Sequence, residues 1–167
     1  MQKLLTVLMT FAVAATISCN SVAQSKSAPN PYYSRTATTP VNVTNAQWKK
    51  ILSPVVYDIA REQGTERAYT GLNWNNHKAG TYYCAVCGNR LFSSDTKFES
   101  GTGWPSFYQP YSAASVKQKT DADGDRQEIE CARCGSHLGH VFNDGPNPTG
   151  LRYCMNGNVM DFVAGKK

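Results

Sequence analysis

Arg152, Cys154 and Asn156 occupy alternate positions in the stretch Gly150-Leu151-Arg152-Tyr153-Cys154-Met155-Asn156-Gly157. In an extended segment alternate side chains point to one face, so a guanidinium, a thiol and a carboxamide would converge on one surface. A positive charge near a cysteine favours the thiolate, which is the nucleophile. The competing reading is a small hydrophobe in a core strand, the commoner fate of an isolated cysteine.

The remaining cysteines bear on that choice. Four of the six fall in two like turns, Cys84-Ala85-Val86-Cys87-Gly88 and Cys131-Ala132-Arg133-Cys134-Gly135. Two residues between thiolates let a tight turn present both sulfurs to one metal, and the following glycine can take the positive φ on which such a turn ends. Two turns of this kind complete a closed four-cysteine zinc site, a scaffold with no open position. Disulfides, which an exported location permits, and a redox-active C-x-x-C are the alternatives. No βαβ pattern surrounds either pair, which weighs against the second.

Two more clusters could do chemistry. Gly101-Thr102-Gly103-Trp104-Pro105-Ser106-Phe107 is a glycine-flanked loop with two large aromatics. Trp104 and Phe107 suit the apolar wall of a ligand site, or else they plug one end of a barrel. His137-Leu138-Gly139-His140-Val141-Phe142-Asn143-Asp144-Gly145 holds two of the three histidines, the usual acid/base partners of a thiol. Zinc ligation or simple surface exposure would explain them less well, since four thiolates already saturate the metal. Asp144 orients a histidine or initiates the Asp-Gly turn.

The elements that must carry these clusters are short. Thr44 or Asn45 caps a helix bearing Trp48, Ile51 and Leu52, and Ser53-Pro54 restarts a second helix that carries Val55, Val56, Ile59 and Ala60 and stops at Gly64. Beyond it lie short apolar runs separated by turn residues: Thr81 to Cys84, Arg90 to Phe92, Ala114 to Lys119, Gln127 to Cys131, His140 to Phe142, Leu151 to Met155 and Val159 to Val163. Asp121-Ala122-Asp123-Gly124 is the clearest hairpin signal, and the domain is expected to be mainly β.

The organisation at the N-terminus differs. Residues 1 to 23 read as an export signal, with Lys3, an apolar run from Leu4 to Ile17 and a Ser21-Val22-Ala23 cleavage site. Thr16-Ile17-Ser18-Cys19 offers a second option, a loose lipoprotein site that would anchor Cys19 in a membrane. Either route implies a periplasmic or cell-envelope location. Residues 24 to 43, rich in Ser, Thr, Pro and Asn, are expected to form a flexible tether, and residues 44 to 167 the folded domain. The net charge of +5 comes from basic residues scattered singly, which gives no support to nucleic-acid binding.

From Trp48 to Phe162 the chain resembles the B-type methionine sulfoxide reductases. The resemblance is carried, in order, by Gly64-Thr65-Glu66-Arg67, Cys84-x-x-Cys87-Gly88, Leu91-Phe92-Ser93-Ser94-Asp95-Thr96-Lys97-Phe98, Gly103-Trp104-Pro105-Ser106-Phe107, Cys131-x-x-Cys134, His137-Leu138-Gly139-His140-Val141-Phe142 and Arg152-Tyr153-Cys154-x-Asn156. It implies a monomer with two small antiparallel sheets and N-terminal helices, and one structural zinc on Cys84, Cys87, Cys131 and Cys134. It implies Cys154 as the nucleophile toward the R epimer of methionine sulfoxide in oxidised proteins or peptides. It further implies that His140 and Asn156 hydrogen-bond and protonate the developing hydroxyl, that His137 and Asp144 support that polar side, and that Trp104 faces the substrate's methyl group.

The departures concern recycling. Where many relatives carry a resolving cysteine two residues before the tryptophan, this chain has Thr102, and Gln24 to Tyr83 contains no cysteine. The expected cycle therefore uses Cys154 alone, with an external small thiol or thioredoxin-like reductant. Two other classes compete: a non-enzymatic zinc-stabilised β module that holds a ligand in an aromatic pocket, and a zinc-free disulfide oxidoreductase acting through Cys84 and Cys87.

Overall fold

The computed structural model describes residues 29–121 and 124–165. The export segment with Cys19, and the two central residues of the Asp121 to Gly124 turn, lie outside the described residues. Among the described residues no helix is long and apolar enough to cross a membrane.

Two helices, α1 (Asn45–Ile51) and α2 (Pro54–Glu62), precede nine strands: β1 (Gly80–Cys84), β2 (Arg90–Ser93), β3 (Lys97–Phe98), β4 (Ser106–Phe107), β5 (Val116–Thr120), β6 (Gln127–Cys131), β7 (His137–Phe142), β8 (Arg152–Met155) and β9 (Met160–Ala164). The helix starts are those the sequence specifies. Thr44 accepts from the Gln47 N–H while the Gln47 side chain accepts from the Thr44 N–H, a complete capping box. Ser53 caps α2 with Pro54 in its first turn. The α2 end differs slightly. Gln63 takes the left-handed conformation at φ 60, and the Gly64 N–H returns to the Asp58 carbonyl at 3.0 Å.

The strands form two antiparallel sheets, one of order β2-β1-β9 and one of order β3-β4-β8-β7-β6-β5. The fold is mainly β, as expected. The two-residue strands β3 and β4 were not evident in the sequence, because a pair of residues shows no alternation. Between the sheets lies a core in which Phe92 stacks on Phe107 at 4.3 Å and Tyr82 meets Phe107 edge-on at 5.0 Å. Trp48 of α1 is fully buried and packs edge-on against Tyr32 at 5.3 Å.

The tether expectation does not hold for residues 29 to 43. They have no helix or strand, yet they lie packed over the cysteine turns. Asn30 donates to the Val86 carbonyl at 2.7 Å, the Ser34 N–H to Cys87 at 3.0 Å, and the Val41 N–H to Arg133 at 2.8 Å. The buried Arg133 donates in turn to the carbonyls of Ser34, Thr39 and Cys87. Composition undercounts such a segment, because partners distant in sequence satisfy its backbone and because Tyr32, Val41 and Val43 are enough to seat it on the core.

Candidate active site

The register of the larger sheet sets the site. Ser106 on β4 lies opposite Cys154 on β8, Cys154 opposite His140 on β7, His140 opposite Glu128 on β6, and Glu128 opposite Lys119 on β5. Directly opposed residues share a face, so hydroxyl, thiol, imidazole, carboxylate and ammonium form one row across five strands. Gly139 permits the close approach of β7 to β8, since a Cβ there would lie 2.1 Å from the Cys154 carbonyl oxygen.

Along β8, Arg152 shares this face with Cys154. Its guanidinium lies 4.4 Å over the Phe142 ring and makes two 2.8 Å hydrogen bonds to Asp144. Asp144 is thus primarily a clamp on Arg152, which in turn holds its carboxyl below the usual range. The Cys154 thiol is half-buried, and burial pushes its pKa up. A hydrogen bond from Thr102, the Arg152 charge and a hydrogen bond from Ser106 oppose that shift without cancelling it. The guanidinium makes the thiolate accessible without making it the resting form at neutral pH. Arg152→Met is therefore expected to raise the Cys154 pKa further. Alkylation by iodoacetamide, followed against pH, should then show its rise displaced to higher pH.

Around the sulfur the hydroxyls are linked. Thr102 Oγ1 stands 3.9 Å from Cys154 Sγ and 2.8 Å from Ser100 Oγ, which lies 2.7 Å from Ser106 Oγ. The place where a resolving thiol would be sought thus presents a hydroxyl within reach of the sulfur.

His137 and His140 are three residues apart, which on a regular strand would put them on opposite faces. A bulge prevents this. One step on β6, from Ile129 to Glu130, spans two on β7, from Gly139 to His137, and the extra residue brings the two rings to 5.3 Å, edge to face. Each histidine has a carboxylate partner absent from the sequence reading. Glu128 Oε1 lies 2.7 Å from His137 Nδ1, and Asp121 Oδ2 lies 3.0 Å from His140 Nε2 while pairing with Arg126 at 2.8 Å. Burial lowers the His137 pKa against the pull of Glu128, which favours the neutral ring.

A cavity of about 170 Å³ opens over this row, lined by Trp104, Phe142, His140, Cys154 and Asn156 together with Thr65, Arg126, Gly139 and Met155. Trp104 is held by a 3.1 Å hydrogen bond from its indole N–H to the Glu66 carbonyl. The Asn156 amide is used at both ends, accepting from the Glu66 N–H at 3.0 Å and donating to the Leu138 carbonyl at 3.1 Å. The buried Glu66 carboxylate also accepts from the Gly157 N–H, the Asn158 N–H and the Asn158 side chain. Glu66 is therefore the joint between the aromatic and the polar walls. Its motif was visible in the sequence, but its contacts, some ninety residues away in the chain, were not.

Of the residues expected around the substrate, His137, Asp144 and Phe107 do not line this cavity, and Phe107 is the farthest from expectation. Although Ser106 faces the thiol, Phe107 alternates to the other side of β4, is fully buried and stacks on Phe92 in the core. Alternation within a strand hidden in an apparent loop accounts for the error.

In the two cysteine turns the four sulfurs lie within 4.8 Å of one another. Cys84 and Cys134 are 3.8 Å apart, and Cys87 and Cys131 3.7 Å. Tetrahedral zinc at about 2.3 Å from each thiolate requires sulfur separations of about 3.8 Å, whereas a disulfide requires about 2.0 Å. Both turns close alike, with Gly88 at φ +79 and Gly135 at φ +64. The donor set fits zinc. The neighbouring thiols and then burial drive the Cys84 pKa well up, so a cation is needed for four thiolates to coexist. Because Cys84 ends β1 and Cys131 ends β6, the ion would join the two sheets.

Comparison with known proteins agrees with this geometry. A family model described as SelR domain matches residues 52–164. The peptide methionine sulfoxide reductase MsrB of Leptospira interrogans is 58% identical over 124 residues, covering 73% of this chain and 95% of that protein. The MsrB of Thiobacillus denitrificans is 58% identical over 121 residues, 71% of this chain and 92% of that protein. The chloroplastic peptide methionine sulfoxide reductase B1 of Arabidopsis thaliana is 46% identical over 156 residues, 90% of this chain and 77% of that protein. With the family match spanning α2 and every strand of the two sheets, the chain belongs to the MsrB family of peptide methionine sulfoxide reductases.

Proposed function

We propose that the cavity over Cys154 takes the side chain of a methionine R-sulfoxide residue and that the protein is a peptide-methionine (R)-S-oxide reductase. The observation that carries this reading is the direct opposition of Cys154 and His140 in one row, beneath a cavity walled by Trp104 and Phe142. The sulfoxide sulfur bears a polar oxygen and an apolar methyl group, and only one epimer sets each against its matching wall while the sulfur faces the thiolate. The aromatic wall takes the methyl group and the histidine side takes the oxygen.

His140, its Nε2 held by Asp121, takes the thiol proton through its other ring nitrogen as the Cys154 sulfur attacks the sulfoxide sulfur, and passes that proton to the oxygen. The oxygen passes to Cys154 as the S–O bond of the substrate breaks, which leaves methionine and a sulfenic acid. Two thiol equivalents from a small thiol or a thioredoxin-like protein then return Cys154 to the thiol, giving a disulfide and water. Thr102 beside the sulfur supports the one-cysteine form of this cycle. Asp121 keeps His140 oriented, and Asn156 braces the wall opposite Trp104. The four-cysteine zinc holds the sheets together and takes no part in the reaction. The leader-like first 23 residues favour oxidised envelope proteins as substrates.

A thiol-dependent assay on a methionine sulfoxide peptide of each epimer tests this reading. Only the R peptide should be turned over, and equal turnover of the S peptide would contradict the assignment. A module that merely binds a ligand would turn over neither.

A further inference from the structure

Arg133 is a buried cation that has no carboxylate partner among the described residues. It is 8% exposed, and its guanidinium donates to the carbonyls of Ser34 at 2.9 Å, of Thr39 at 3.1 Å, and of Cys87 in the other cysteine turn. A buried charge is costly unless an opposite charge faces it. Here the opposite charge belongs to the cysteine site. Arg133 stands between Cys131 and Cys134 in the chain, and four thiolates on one Zn²⁺ carry a net charge of about −2.

The second observation concerns residues 29 to 43, which form a strap across both cysteine turns and precede the residues matched by the family model, 52–164. The strap is pressed against the first turn so closely that a Cβ on Gly88, next to Cys87, would lie 2.7 Å from the Ser34 carbonyl oxygen. It reaches the second turn through the hydrogen bond from the Val41 N–H to the Arg133 carbonyl. Tyr32 fastens it to Trp48 of α1, and the Tyr33 hydroxyl donates to Asp161 of β9 at 2.8 Å. Beneath it Cys84, Cys87 and Cys131 are fully buried and Cys134 nearly so.

We propose that residues 29–43 and Arg133 together form a lock on the zinc site, which retains the metal and keeps oxidants from its thiolates. The guanidinium offsets the negative charge of the thiolate cluster. The strap's carbonyls take the guanidinium's hydrogens, and its backbone covers the turns. Oxidants that turn methionine into its sulfoxide also attack thiolates. A peroxide, with two protons, takes two electrons from a pair of thiolates to give a disulfide and two waters, and the zinc is released. An enzyme that repairs such damage needs Cys154 open and the other four cysteines shut. That need rests on sulfoxide reduction as the function, whereas the lock rests on the contacts alone.

Zinc release from the loaded full chain in hydrogen peroxide, read with a chromogenic chelator, tests the lock without reference to activity. Tyr32→Ala loosens the strap and leaves the turns unaltered. Arg133→Met removes the charge and the donors but keeps a long side chain. Each should release zinc about tenfold faster or more than the unaltered protein. Arg133→Lys, which keeps the charge without the planar fork, should fall between. In Tyr32→Ala amide hydrogen exchange should rise in the strap and the cysteine turns and stay unchanged in β7 and β8. Neither residue lines the cavity, so sulfenic acid formation at Cys154 in the first turnover should stay within about twofold. Tyr32→Ala and Arg133→Met proteins that release zinc at the unaltered rate would overturn the proposal. Faster release accompanied by faster exchange throughout both sheets would overturn it too, because the loss would then be one of general stability. Absence of R-sulfoxide turnover in the unaltered protein would sink the functional reading and leave the zinc result standing.

Discussion

Cys154→Ser is expected to lower kcat/KM for an R-sulfoxide peptide by about four orders of magnitude or more. A serine hydroxyl at that position is not ionised near neutrality, and an alcohol is a poor nucleophile toward the electrophilic sulfur. Nothing nearby can stand in for the thiol. The sulfur's closest polar neighbours are hydroxyls and the guanidinium of Arg152, and the other described cysteines are drawn together in their own buried cluster. Exchange of sulfur for oxygen on a half-buried strand residue leaves the packing almost unchanged, so stability should fall by about 1 kcal/mol at most. A thermal melt alongside the kinetic assay separates loss of chemistry from loss of fold. Turnover persisting in the serine variant would place the nucleophile elsewhere.

The second large effect concerns the cysteine cluster. Cys131→Ser, or extraction of zinc by a strong chelator, is expected to unfold the domain. Zinc bound by four thiolates contributes about 10 kcal/mol or more to the folding of a small module, which matches or exceeds the whole net stability of an ordinary domain, about 5 to 15 kcal/mol. The loss reaches both sheets and the strap of residues 29 to 43, because the Cys87 and Arg133 carbonyls accept from Ser34 and Val41. Loss of far-UV circular dichroism on chelation, and its return with added zinc, would check this. A chelated protein that melts at the original temperature would contradict a structural role for the metal.

What the sequence disclosed, and what it withheld, follow from the range of the forces involved. Caps such as Thr44 with Gln47, and Ser53 with Pro54, act within one turn of chain, so the helix starts could be read directly. The doubled C-x-x-C turns carry their geometry in local spacing. Alternation put Arg152 and Cys154 on one face. By contrast, the partners of the site residues come from tertiary register. Glu128 reads as one of two acidic residues flanking Ile129 on an ordinary strand, and only the covering of its face makes it a buried carboxylate. Asp121 was read as a turn former and proves also to hold His140. The bulge that aligns His137 with His140 depends on how β7 pairs with β6, and the core position of Phe107 depends on a two-residue strand with no period of its own.

The reading of Arg152, Cys154 and Asn156 as a convergent trio is also refined. Arg152 is largely committed to Asp144, Asn156 to Glu66 and Leu138, and burial leaves the Cys154 thiol above its ordinary pKa. The trio builds a braced, partly desolvated thiol, which in the proposed reaction becomes reactive when the substrate brings its electrophilic sulfur beside it.

The central claim is that Cys154 alone takes the oxygen and is then reduced from outside. The full chain, reduced, zinc-loaded and freed of small thiols, should be mixed with one equivalent of R-sulfoxide peptide, trapped with a sulfenic-acid reagent and read by intact and peptide mass spectrometry. The account predicts one trapped oxidised sulfur, located at Cys154, with Cys84, Cys87, Cys131 and Cys134 unmodified. An intramolecular disulfide joining Cys154 to any other cysteine, or a Cys154 left unoxidised after methionine has formed, would contradict it.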